Sequence, residues 1–233
     1  MKSAHAAVRK AKSDSSHATR IVVVDDHPLF RKGLEQLIAS QGEFVVCGEA
    51  ANAAAAMDVI RRVVPDLAIV DLSLPGANGI ELIKNIRAEF SKLPVLVLSM
   101  HDERVYAERA IRAGARGYVM KRESTKKIID AIHQVLKGNL YLSKGMTELL
   151  VEKFISSDPK KVGLPLAQLS DRELEVFKLI GQGYEINEIA KTLNVNHKTI
   201  HTYSTRIREK LKLDSSAELL REALRCSETR APV

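Results

Sequence analysis

Between residues 21 and 140, five short, largely apolar runs alternate with five helix-like segments, and this alternation constrains the fold more than any other feature. Short apolar runs bounded by turn residues are typical of buried strands. Strands that alternate with amphipathic helices require right-handed crossovers, which produce a parallel sheet with helices on both faces. We predict a five-stranded, doubly wound α/β (flavodoxin-like) domain with the strands IVVV (21–24), FVVCGEA (44–50), LAIV (67–70), PVLVLS (94–99) and GYVM (117–120).

Polar residues occupy the carboxyl ends of four of these strands. Asp25 and Asp26 follow the first strand and Asp71 follows the third, while Ser99 ends the fourth and Lys121 follows the fifth. Each alone is ordinary, since Asp and Ser cap helices and lysine is usually solvated. The carboxyl ends of parallel strands share one edge of a sheet, where ligands bind. We therefore expect the five side chains to lie close together.

Three neighbouring carboxylates repel one another, and a hard divalent cation with oxygen ligands removes that repulsion. Mg²⁺ suits one or two carboxylates together with a phosphate. Lys121 would then pair with one phosphate oxygen as a point charge, and Ser99 would donate a hydrogen bond to another. The sequence predicts a Mg²⁺-dependent phosphate site at this edge, arranged around Asp71.

The second half of the chain has a helical pattern. We predict a linker with one short helix over residues 141–166, followed by an all-α domain over 167–233. Ser170 and Glu173 form a capping-box pattern at the start of its first helix. The turn Leu193-Asn194-Val195 separates two helical stripes, which indicates a helix-turn-helix motif.

The helix predicted after this turn, His197 to Leu211, is strongly basic: residues 196–212 contain five Lys or Arg and one Glu. At 100° per residue its outer face near the N-terminal end carries Lys198, His201, Thr202 and Thr205, and the flanking positions carry Arg206, Arg208 and Lys210. The N-terminal end of such a helix is expected to read base edges in the major groove, with the flanking cations on phosphates. The alternative is a merely solvated basic face.

Composition and the distribution of apolar residues indicate where the protein acts. The longest apolar run is far shorter than a membrane span, so we expect no membrane association. The two cysteines lie far apart without ligand spacing, which favours a reduced, cytoplasmic protein. Residues 1–20 are basic and lack the apolar core of a secretory signal, so we predict a disordered basic arm.

Residues 21–137 resemble the receiver domain of bacterial two-component response regulators, through Asp25-Asp26, the loop DLSLPGANG, Ser99, Tyr118 and Lys121. The resemblance implies that Asp71 accepts a phosphoryl group from a sensor histidine kinase or a phosphotransfer protein. It implies that Asp26, Asp71 and the backbone carbonyl of Ser73 bind Mg²⁺ directly, and that Asp25 acts through water. Ser99 and Tyr118 would be a coupled switch pair that moves inward on phosphorylation.

Residues 169–211 resemble the LuxR-type helix-turn-helix, through Glu173, Gly183, Glu188-Ile189-Ala190, Lys198-Thr199-Ile200 and Lys210-Leu211. This resemblance adds Thr199 to the expected DNA-binding residues. The chain departs from the pattern at His201, where lysine is common, and at Asp171, where proline is frequent. A receiver domain (21–140) joined to this output domain is the NarL/FixJ-type architecture.

Together these features predict a DNA-binding response regulator rather than an enzyme, in which phosphorylation of Asp71 controls dimerisation or releases the DNA-binding domain. Its expected partners are double-stranded DNA, a kinase and a second copy of the chain. Two alternatives remain. One is a regulator that binds DNA without phosphorylation, and the other is an adaptor whose helical domain binds a protein.

Overall fold

The computed structural model describes residues 18–75, 77–157 and 162–228. Residues 1–17 of the predicted basic arm lie outside the described residues, and so do residues 158–161 of the predicted linker.

The main sheet has five parallel strands in the order β2-β1-β3-β6-β7, which confirms the doubly wound α/β fold. Every residue of β3 is buried, which explains why a central strand appears in the sequence as an uninterrupted apolar run. The strands are β1 (Thr19–Val24), β2 (Phe44–Ala50), β3 (Leu67–Val70), β4 (Ser73–Leu74), β5 (Ala77–Asn78), β6 (Val95–Ser99) and β7 (Gly117–Met120).

Helices cover both faces of the sheet. Ile60 and Ile83 belong to the core on one face, whereas Leu34 and Ile132 belong to the core on the other. The helices are α1 (Pro28–Ala39), α2 (Ala53–Val63), α3 (Gly79–Glu89), α4 (Glu103–Ala113) and α5 (Thr125–Leu136). This layering brings the carboxyl ends of β1, β3, β6 and β7 to one open edge.

The predicted strand boundaries differ from the structure by one or two residues: β1 begins at Thr19 rather than at residue 21, and β6 begins at Val95 rather than at residue 94. Asn52 is the N-cap of α2, and its side chain accepts a hydrogen bond from the Ala55 amide. The antiparallel hairpin of β4 and β5 was not predicted, because two-residue strands are too short to show an alternating pattern.

The second half is helical, as expected. Ser170 and Glu173 form the predicted capping box, and Asn194 adopts a left-handed conformation (φ 51°) in the turn between α8 and α9. Gly181 ends α7 where a side chain would collide with the backbone of Ala223. None of the described helices is long and apolar enough to cross a membrane. The elements are α6 (Lys144–Ile155), a 3₁₀ helix (Pro165–Gln168), α7 (Asp171–Gly181), α8 (Ile186–Thr192), α9 (His197–Leu211) and α10 (Ser216–Glu228).

A buried carboxylate joins α7 to α9. Glu173 is 3% exposed, and its Oε2 lies 2.6 Å from Lys210 Nζ and 2.7 Å from the Ser170 amide nitrogen. Burial acts to raise the pKa of Glu173, but the hydrogen bonds from Lys210 and Ser170 outweigh it, and the pKa is lowered overall. Glu173 therefore contributes stability above its unfolded pKa, and that contribution is lost as pH falls through the folded pKa.

We expect Lys210→Met to lower the free energy of unfolding by about 1–3 kcal/mol at pH 7, because it leaves a buried carboxylate without its cation. The difference from wild type should shrink as pH falls, because protonation of Glu173 removes the charge that Lys210 balances. Urea unfolding at pH 7 and over a series of lower pH values measures both effects. Lys191→Met, at an exposed position on α8, is the charge-matched control. An equal loss in the two variants, or a difference independent of pH, would contradict the assignment.

Candidate functional site

The carboxyl edge of the main sheet brings together the predicted acidic residues. Ligand atoms of Asp25, Asp26, His27 and Asp71 all lie within 4.8 Å of one another. Asp25 and Asp71 are each only 2% exposed, whereas the Asp26 side chain is partly exposed. This cluster of oxygen donors is of the kind that binds a hard divalent cation.

Lys121 lies inside this cluster. Its Nζ is 2.6 Å from Asp25 Oδ2 and 2.7 Å from Asp71 Oδ2, and it lies 4.4 Å from the centre of the Phe30 ring. The side chain of Lys121 is 4% exposed, so the ammonium and both carboxylates form a buried ion triad. The sequence placed Lys121 in this pocket as a partner for phosphate, and the structure adds its pairing with two carboxylates.

The two oxygens of Asp71 have different surroundings. Oδ2 pairs with Lys121, whereas Oδ1 is buried without a hydrogen-bond partner among the described residues. A buried carboxylate oxygen without a partner is costly unless a ligand or ion completes it. The pocket is therefore suited to a cation or an electrophile at Oδ1.

The sequence missed three residues that shape this pocket. The His27 amide donates to Asp25 Oδ1 at 2.9 Å, and the Arg31 guanidinium donates to the Asp25 carbonyl. Phe30 packs under the Lys121 ammonium. His27 could have been identified from its position directly after the acidic pair. Phe30 and Arg31 could be assigned to a helix by their sequence, but nothing in the sequence indicates that they contact the pocket.

The predicted switch residues are fully enclosed. Ser99 is 0% exposed and Tyr118 is 1% exposed, and the Tyr118 hydroxyl donates to the His101 carbonyl at 2.9 Å. Burial raises the pKa of Tyr118 well above its ordinary value, so the hydroxyl remains a donor. Tyr118 is therefore buried, with its hydroxyl bonded to the loop that follows β6. The sequence did not single out His101.

The structure places the predicted DNA-binding residues along α9. Ile200 and Ile207 are buried on its inner face, as the helical period predicts. Thr199 is half-buried, and the Lys210 ammonium is paired with Glu173. The Thr202 hydroxyl donates to the Lys198 carbonyl at 3.0 Å. The exposed members of the predicted set are Lys198, His201, Thr202, Thr205, Arg206 and Lys210.

Comparison with known protein families gives a match in each half of the chain. Residues 21–133 match the response regulator receiver domain, and residues 167–223 match the bacterial regulatory proteins of the luxR family. The oxygen regulatory protein NreC of Staphylococcus carnosus (strain TM300) is 35% identical over 210 residues, which cover 88% of this chain and 97% of NreC. NreC of Staphylococcus aureus (strain MRSA252) has the same identity and coverage.

Solved structures give the same result. RcsB from Salmonella enterica serovar Typhimurium, bound to promoter P1flhDC with the phosphomimetic BeF₃⁻, has a TM-score of 0.69 at 25% identity, covering 89% of this chain and 98% of that chain. A LuxR-family two-component response regulator from Aurantimonas sp. SI85-9A1 has a TM-score of 0.56 at 34% identity, covering 60% and 100%. The chain belongs to the two-component response regulators of NarL/FixJ type, DNA-binding transcription regulators that join a receiver to a LuxR-type domain.

Proposed function

We propose that Asp71 is the phosphoryl acceptor of this receiver and that its phosphorylation controls sequence-specific DNA binding by a homodimer. The observation that carries the proposal is the asymmetry of the Asp71 carboxylate. Lys121 fixes Oδ2 at 2.7 Å, while the buried Oδ1 has no hydrogen-bond partner among the described residues. One oxygen is thus anchored and the other is presented for reaction.

The proposed transfer needs no further nucleophile. An Asp71 oxygen forms a bond to the phosphorus of a phosphohistidine as the phosphorus–nitrogen bond breaks. The product is an acyl phosphate on Asp71, and the imidazole leaves with the electron pair. Asp25, Asp26, Asp71 and the Ser73 carbonyl would bind Mg²⁺, which neutralises charge on the transferring phosphoryl group. The orphaned Oδ1 and the acidic cluster fit this role.

The neighbouring residues then respond to the phosphoryl group. Lys121 would exchange a carboxylate oxygen for a phosphoryl oxygen, since an ammonium has three donors and pairs as a point charge. Ser99 would donate its hydroxyl to another phosphoryl oxygen, and Tyr118 would retain its inward position. In this proposal the chain acts on its own Asp71 and not as an enzyme on a separate substrate.

For DNA binding we propose that α9 enters the major groove with its N-terminal end leading. Lys198, Thr199, His201, Thr202 and Thr205 would lie nearest the bases, and Arg206 and Lys210 would contact phosphates. Lys210 can do so while paired with Glu173, because its ammonium has two further donors. The place of action is the cytoplasm, where the thiols of Cys47 and Cys226 stay reduced.

We expect Asp71→Asn to abolish hydroxylamine-labile labelling by radioactive acetyl phosphate in the presence of Mg²⁺, because an amide cannot form the acyl phosphate. Asp58→Asn, on the exposed surface of α2, is the matched control and should label like wild type. Undiminished labelling of Asp71→Asn would refute the assignment. DNA binding by an unlabelled wild-type chain, unaffected by acetyl phosphate, would favour the constitutive alternative.

Lys121→Met should retain Mg²⁺ binding and lose the response of DNA binding to acetyl phosphate. The reason is that Lys121 competes with a cation for Asp25 and Asp71, but pairs with the phosphoryl group once it is present. Calorimetric titration with Mg²⁺ measures the first property and a DNA mobility shift measures the second. Loss of Mg²⁺ binding in a folded Lys121→Met chain would contradict this division of roles.

His201→Ala and Arg206→Ala should affect DNA binding differently. If His201 reads a base, its loss should cost about 1–3 kcal/mol and relax sequence preference at one position. Arg206→Ala should weaken binding to all sequences alike and lower the salt slope by about one. Affinities on an operator and on its single-base variants, at several salt concentrations, distinguish the two effects. If the affinity of Arg206→Ala depends on salt concentration as steeply as that of wild type, Arg206 does not contact a phosphate.

A further inference from the structure

His101 connects the phosphoacceptor pocket to the DNA-binding half of the chain. It is 6% exposed and lies between β6 and α4. Its Nε2 is 3.0 Å from Ser73 Oγ in the pocket and 3.1 Å from Lys178 Nζ on α7. The Tyr118 hydroxyl donates to its carbonyl at 2.9 Å. A single residue therefore contacts the predicted metal loop, the switch tyrosine and the DNA-binding domain.

The contact between His101 and Lys178 is directional. An ammonium can only donate, so Nε2 is the acceptor for Lys178. Tyr106 lies beside both groups: its ring stacks on the His101 ring at 4.5 Å between centroids, and Lys178 Nζ lies 4.5 Å from its centre. A shift of the His101 backbone would therefore disturb both interactions of Lys178.

A second set of contacts joins α4 to the start of α7. The Arg109 side chain is 12% exposed and donates to Asp171 Oδ1 at 2.9 Å. It also donates to the carbonyls of Leu166, Ala167 and Leu169. These contacts attach the DNA-binding domain to the same face of the receiver that carries His101. We call the whole arrangement the docked state.

The docked state leaves the DNA-reading face of α9 uncovered. Its base-facing side chains Lys198, His201, Thr202 and Thr205 are exposed, and so is Arg206. Docking therefore does not mask DNA contacts. In the same structure Tyr118 is buried and bonded to His101, which is the inward position expected after phosphorylation. An inward Tyr118, the His101–Lys178 contact and an accessible α9 thus occur together.

We propose that His101 is a positioning residue through which phosphorylation of Asp71 strengthens docking, and that the docked state is the form that binds paired DNA half-sites. This inference rests on the phosphorylation proposed above. A phosphoryl group on Asp71 accepts a hydrogen bond from Ser99 and holds Tyr118 in its inward position, and Tyr118 then fixes the His101 backbone so that its ring accepts from Lys178. A domain fixed on its receiver loses less orientational freedom when two copies engage two half-sites.

The test measures the affinity of the full chain for DNA selected by the wild-type protein, carrying either two half-sites or one. Each DNA is titrated with and without acetyl phosphate and Mg²⁺, at equal phosphoryl occupancy. On the paired site, acetyl phosphate should increase the affinity of wild type, and we expect this increase to be about tenfold smaller for Lys178→Met and for His101→Phe. His101→Phe keeps an aromatic ring but no acceptor, whereas His101→Gln keeps an acceptor and should retain much of the gain.

The controls separate this role from DNA contact and from charge. Lys178→Met should bind the single half-site like wild type, because no base-reading residue is changed. Lys144→Met removes an equal charge from an exposed position on α6 and should retain the full gain. The double variant His101→Phe/Lys178→Met should bind the paired site no more weakly than Lys178→Met alone, since both substitutions remove the same His101–Lys178 contact.

Three binding results would overturn the inference. Tighter binding by Lys178→Met without acetyl phosphate would mean that docking inhibits. If acetyl phosphate increases the affinity of Lys178→Met as much as that of wild type, the His101–Lys178 contact does not transmit the signal. If Lys178→Met loses as much affinity on the single half-site as on the paired site, Lys178 contacts DNA directly. Absence of a radioactive phosphoryl group on wild-type Asp71 would instead refute the proposed function, and this inference would fail with it. Measuring the incorporated radioactivity distinguishes that failure from the three binding results.

Discussion

The ion triad of Lys121 with Asp25 and Asp71 is the interaction on which the functional edge depends. Two carboxylates this deeply buried would be strongly destabilising without a cation within hydrogen-bond distance. Counting Asp26 as well, three carboxylates and one ammonium leave two negative charges in the pocket. A divalent cation would balance that charge, and formation of an acyl phosphate on Asp71 would then add one negative charge for Lys121 to pair with. The pocket therefore suits the cation first and the phosphoryl group once the cation is bound.

The sequence was sufficient to place this pocket because topology leaves little freedom. Once the apolar runs are identified as parallel strands, their carboxyl ends must share one edge, so Asp25, Asp71, Ser99 and Lys121 had to converge. The periodicity of α9 fixed its inner face for the same kind of reason. What could not be predicted are contacts chosen by tertiary packing. Nothing local shows that Lys121 pairs with two carboxylates and packs on an aromatic ring.

The contacts between the two halves were the least predictable part. Asp171 was noted only as a departure from a family pattern, yet it pairs with Arg109 and lies 3.5 Å from Lys84. The partners are 62 and 87 residues away in sequence. Lysine, arginine and aspartate at such positions are usually solvated surface residues, so their types carry no signal of an interface. Likewise, the sequence around His101 is that of an ordinary polar loop, and nothing in it indicates the contact with Lys178.

The Arg109 contacts and the His101–Lys178 contact differ in the number of hydrogen bonds that they contain. Arg109 donates to Asp171 and to three backbone carbonyls, so one guanidinium carries four hydrogen bonds between the two halves. The His101–Lys178 contact is one hydrogen bond to a charged group, of a kind worth about 1.5–3 kcal/mol. Allosteric coupling free energies are typically about 1–3 kcal/mol, the same size. In the proposed coupling, a single bond beside Tyr118 is thus strong enough to shift a domain equilibrium and weak enough for the Tyr118 position to govern it.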